Sequence, residues 1–105
     1  MKIQINTDAN INQSEAQPEQ TEAILTDILE RFANQITRVE VHLSDENSNK
    51  KSGLADMRCL LEVRLEGLQP VVVTDEAASV EQAIEGAAGK MRRSLDSILG
   101  KRKMH

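Results

Sequence analysis

The chain has no tryptophan and no tyrosine, and Phe32 is its one aromatic side chain. Hydrophobic residues still make up 39% of the 105 residues, so the core must be aliphatic, built from Ile, Leu, Val, Ala and Met. The same lack argues against a reader of single strands that stacks bases on aromatic platforms. Cysteine is nearly missing as well. Cys59 alone can close no internal disulfide and offers no metal-site spacing, so a reducing, cytoplasmic setting is expected. No apolar run approaches the roughly 20 residues of a membrane span, and Met1 to Ile5 is too short and alternating for a signal peptide. No membrane partner is expected. A chain of this length holds one small core, so one domain is expected over residues 1–105.

Catalytic constellations are also missing. The histidines are His42, on the expected outer face of a strand, and His105, and neither lies in a motif with a nucleophile or a metal ligand. Cys59 alternates inward with Met57 and Leu61, which reads as a small buried hydrophobe. The stretch "EGAAGK" lacks the first-glycine spacing and the Ser or Thr after Lys that a phosphate-cradling loop needs. We therefore expect no enzyme, no cofactor, no metal and no small-molecule substrate.

What the chain does have is charge, unevenly spread around a net of -4. Residues 1–36 carry two basic and six acidic side chains, and residues 37–89 carry five and ten. Residues 90–105 reverse the balance with six basic and one acidic. Such segregation creates a local potential attractive to polyanions on a molecule that is acidic overall.

Hydrophobic periodicity gives the elements. Lys2 to Asn6 alternates like a strand, with Ile3 and Ile5 on one face. After a polar stretch, Pro18 suits the first turn of a helix over about residues 18–34, whose stripe is Ile24, Leu25, Ile28, Leu29, Phe32 and Ile36. Val39, Val41 and Leu43 mark a half-buried strand over 37–44. Residues 45–56 form a polar loop expected to protrude and move. Met57, Cys59, Leu61, Val63 and Leu65 mark the next strand, and a turn at 67–70 leads to a last strand at Val71 to Thr74. Ser79 and Gln82 form a capping-box signature, and Gly100 stands where a C-terminal glycine would end a second helix of about 20 residues. Its stripe is Val80, Ala83, Ile84, Ala87, Met91, Leu95 and Ile98. Gly86 and Gly89 each cost this helix about 1 kcal/mol relative to Ala, which suggests close packing there. The reading is an α+β fold in the order β-α-β-β-β-α: a four-stranded sheet with two helices packed on one face.

At about 100° per residue, Lys90, Arg93, Ser97 and Lys101 share one flank of the second helix. Arg92 falls on the other flank with Glu81, Glu85 and Asp96, and Asp96 is its expected i, i+4 partner. The first flank runs on into Arg102 and Lys103, in a basic tail starting at about residue 100. The strip Lys90, Arg93, Lys101, Arg102 and Lys103 is suited to phosphate backbones, which ammonium and guanidinium groups contact without reading sequence. Part of this charge needs no ligand, because cations in a helix's last turn gain about 0.3–1 kcal/mol from its dipole.

The stretch "AIEGAAGKMRRSL", residues 83–95, resembles the second-helix pattern of the ribosome hibernation factors. These are hibernation-promoting factor and ribosome-associated inhibitor A, also called sigma-54 modulation proteins. Ala83, Ile84, Glu85, Lys90, Met91, Arg93 and Leu95 occupy the pattern's positions, and "RVEVHLSDEN", residues 38–47, resembles one bacterial branch. The resemblance covers nearly the whole chain. It implies a domain shaped like a double-stranded RNA-binding domain that binds the small ribosomal subunit and its rRNA. Occupation of the decoding channel in stationary phase or stress would inhibit translation by occlusion. Lys90 and Arg93 match the family's basic positions, and Lys101, Arg102 and Lys103 match its basic tail more loosely. The first helix departs from the family's usual basic character, with Glu19, Glu22, Asp27 and Glu30 against Arg31. The alternative is a protein-interaction module of the same fold that has left the ribosome and uses the outer sheet face around Leu60 and Val72.

Overall fold

The computed structural model describes residues 1–8, 11, 17–45 and 57–103, the side chains of 101–103 excepted. The elements are β1 (Lys2–Thr7), α1 (Pro18–Leu29), a 3-10 turn (Glu30–Phe32), β2 (Ile36–Asp45), β3 (Met57–Leu65), β4 (Val71–Ala77) and α2 (Val80–Lys103). This is the expected α+β order. The sheet runs β1-β2-β3-β4, with β1 parallel to β2 and the other pairs antiparallel. Most of the loop expected at 45–56 lies outside the described residues.

Alternation decides which face of the sheet is covered. Val39, Val41, Cys59, Leu61 and Val63 are fully buried, and they form one cluster with Leu25 and Leu29 of α1 and Ile84, Met91 and Leu95 of α2. Burying a Leu or Met side chain of this kind stabilises by about 1.5–3 kcal/mol. Both helices therefore sit on one face. On the other face, Arg38 bonds Gln4, its Nε donates to Glu40 Oε2 at 2.9 Å, and Arg64 lies between Glu40 and Glu62.

Four local expectations are corrected by packing. Ile36 is the first residue of β2 rather than the end of the α1 stripe. A register shift between Ile36 and Arg38 lets both Ile36 and Val39 point inward, and Thr37 Oγ1 donates to the Arg64 carbonyl at the bulge. The first helix ends as α-helix at Leu29 and tightens into the 3-10 turn that carries Phe32 into the core. β4 extends beyond Thr74 to Ala77. Finally, α2 passes through Gly100 to Lys103, and among the described residues the one glycine with positive φ is Gly67, in the β3-β4 turn. With no left-handed residue at Gly100 the helix has no reason to stop there, and Leu99 reaches the core more fully than Ile98.

Candidate functional site

α2 starts as expected, with the Gln82 N–H donating to Ser79 Oγ at 3.2 Å. From that start the helix lays Val80, Ala83, Ile84, Ala87, Ala88, Met91, Leu95 and Leu99 against the sheet and α1. Its two flanks then face different neighbours. Lys90 reaches β4, so the Lys90 and Arg93 flank lies toward that terminal strand. Asp96 meets Arg31 of the 3-10 turn at 2.7 Å, so the other flank lies toward the end of α1.

Lys90 Nζ donates to the Thr74 carbonyl at 2.8 Å and lies 2.9 Å from Asp75 Oδ1. The helix wheel places no acid beside Lys90, and within α2 this holds. The acid comes from β4. Asp75 is also what explains Gly86. A Cβ at position 86 would lie 1.8 Å from Asp75 Oδ2, so only glycine lets the helix sit this close to the carboxylate. Gly89 has no such neighbour: a Cβ there would meet only Arg93 Nη1, at 4.0 Å. Close packing thus accounts for one of the two glycines.

Arg93 is exposed, and neither it nor Arg92 has an ion-pair partner among the described residues. The expected Arg92–Asp96 pair is replaced by Arg31–Asp96, because the 3-10 turn brings Arg31 to the same carboxylate. Lys101, Arg102 and Lys103 continue the helix, and their side chains lie outside the described residues. The structure therefore places Lys90 and Arg93 one turn apart on one flank, with the backbone of the other three cations following on the same helix.

Two depressions among the described residues are less suited to an anion. A shallow depression along α1 is lined by Glu19, Glu22, Asp27 and Glu30. A hollow of about 190 Å³ between Arg31, Phe32, Gln35, Asp96, Leu99 and Gly100 is smaller than the ~300 Å³ at which small-molecule sites begin. Among the described residues no group of three or more His, Cys, Asp or Glu could hold a metal ion, and no helix is long and apolar enough to cross a membrane. Burial pushes the Cys59 thiol up to about 12, with the Asp75 charge adding to it, so the sulfur stays protonated and a poor nucleophile at neutral pH.

The family model described as sigma 54 modulation protein / S30EA ribosomal protein matches residues 3–103. Among curated proteins no relative matches. Solved structures share the fold, among them the following two. The Thermus thermophilus Protein Y N-terminal domain has a TM-score of 0.71 at 22% identity, over 93% of this chain and 99% of that one. A ribosomal subunit interface protein from Coxiella burnetii has a TM-score of 0.74 at 18% identity, over 95% of this chain and 99% of that one.

Proposed function

Because the chain belongs to the sigma 54 modulation protein / S30EA ribosomal protein family, we propose that it is a ribosome-binding factor that inhibits translation by occupying the small subunit. The single observation that carries this reading is the exposed basic flank of α2. Arg93 stands free of acidic partners there, Lys90 lies one turn before it, and the chain ends its charge run with Lys101, Arg102 and Lys103. In this reading the partner is small-subunit rRNA, contacted through phosphates, and the site is the decoding channel, closed under stress or in stationary phase. The mechanism is occlusion. Phosphate contacts fix the domain without reading sequence, and no bond is made or broken. In this reading residues 1–105 act as one domain in the cytoplasm, without cofactor.

A salt-titrated pelleting assay with small ribosomal subunits tests the reading. Binding is expected to fall with salt along a log-log line, with a slope of about 0.7–0.9 per phosphate contacted. Binding that is absent at low salt sinks the proposal. Binding that ignores salt and is lost on Leu60→Asp moves the interface to the outer sheet face, where Val72 is 52% exposed.

A further inference from the structure

Lys90 and Arg93 share a flank but differ in what surrounds them. An ammonium has three donors. Two of those on Lys90 are spent, one on the Thr74 carbonyl and one on the Asp75 carboxylate, which also cancels its charge locally. Asp75 is held in turn: its side chain is 23% exposed, Gly86 leaves room for it under α2, and its strand partner is the fully buried Cys59. Three residues on two elements thus fit one another across the β4–α2 boundary. Among the described residues β4 is the terminal strand of the sheet, with β3 as its one neighbour. A tether at this point fixes the rotation of α2 about its own axis, and with it the direction in which Arg93 projects.

We propose that Asp75, Gly86 and Lys90 form a clamp between β4 and α2, and that Lys90 serves the RNA-facing flank as a positioning residue while Arg93 makes the phosphate contact. The clamp deepens the ribosome-binding reading and rests on it for the role of Arg93. An ammonium already neutralised by Asp75 releases few counterions when RNA arrives, whereas an unpaired guanidinium releases its share. Affinity and salt dependence therefore separate the two residues.

Salt-titrated pelleting with small ribosomal subunits is run on the full chain and on Lys90→Met, which keeps the aliphatic stem, and Arg93→Gln. Arg93→Gln is expected to reduce the log-log slope by about 0.7–0.9, the loss of one phosphate contact. Lys90→Met is expected to weaken binding at every salt concentration while leaving the slope unchanged. A slope reduced equally by both variants makes Lys90 a contact and overturns the division of labour. The clamp itself is read by chemical unfolding, with no ribosome present. Asp75→Ala and Lys90→Met together are expected to cost less than the sum of the two, with a coupling of about threefold to tenfold in the unfolding equilibrium. Gly86→Ala is expected to lower the unfolding midpoint in the wild-type background and raise it in Asp75→Ala, where the carboxylate is gone. Additive costs, or a Gly86→Ala effect of one sign in both backgrounds, overturn the clamp. Should the wild type fail to pellet, the ribosome reading falls, and the unfolding coupling still decides whether the clamp exists.

Discussion

α1 and α2 lie side by side on one face of the sheet, and their buried halves are alike. Leu25 and Leu29 of α1 are as completely enclosed as Met91 and Leu95 of α2. Their outward halves are opposite. α1 and the 3-10 turn after it show Glu19, Glu22, Asp27 and Glu30, while α2, past Glu81 and Glu85 in its first turns, shows Arg92 and Arg93 before its backbone reaches Lys101, Arg102 and Lys103. Helix electrostatics explains one side of this contrast only. Cations at the end of α2 suit the negative end of its dipole, and Glu19 suits the first turn of α1. Asp27 and Glu30 stand at the wrong end of α1, whose last turn has no basic residue. Stability alone would select against them, so the acidity of this helix calls for a reason outside the helix.

The largest effects should come from the shared half and be the same for both helices. Leu25→Ala and Leu95→Ala each empty a fully buried site and are expected to cost about 2–5 kcal/mol in chemical denaturation. A much smaller loss on the α1 side would mean that the two helices do not hold one core. An intermediate effect belongs to the outward half of α1. Changing Glu19, Glu22 and Glu30 to Gln and Asp27 to Asn removes four negative charges from α1 and the 3-10 turn that follows it. Small-subunit affinity in pelleting is expected to rise about fivefold at low salt, with no loss of stability. An affinity that falls instead would make the acidic face a contact with a basic partner rather than a repulsive border.

How much of this was legible in the sequence depends on the range of the interaction. The alternation of Cys59, Leu61, Val63 and Leu65 gave β3 its inward face because strand period and residue order coincide. The two helix stripes followed for the same reason. Ile36 was misplaced because a bulge adds one residue to the period, and no local pattern distinguishes that residue from the last turn of the helix before it. Gly100 was misread because a glycine inside a helix and one beyond its end look alike until φ is known. The site was legible as a row of cations and not as a site. Asp75 stands 15 residues before Lys90, on another element, and the one trace it left in the sequence was a costly glycine at position 86.

The smallest effect concerns an ion pair that joins the two contrasted ends. Arg31 Nη2 and Asp96 Oδ1 are 2.7 Å apart, and the guanidinium of Arg31 lies 5.1 Å from the centre of the Phe32 ring. The two side chains are 62% and 40% exposed, so water and salt screen most of the attraction. Asp96→Asn is therefore expected to cost only about 0.2–1 kcal/mol in chemical denaturation at low ionic strength, and nothing measurable at about 1 M salt. The partner can be identified by coupling. The i, i+4 spacing on α2 favours Arg92, whereas the folded geometry gives the carboxylate to Arg31. In a double-mutant cycle Arg31→Gln should couple to Asp96→Asn, and Arg92→Gln should not. Coupling to Arg92 instead would separate the end of α1 from α2 and leave Arg31 held by the Phe32 ring alone. The free guanidinium on that flank would then be Arg31, and Arg92 would no longer be available to an anion.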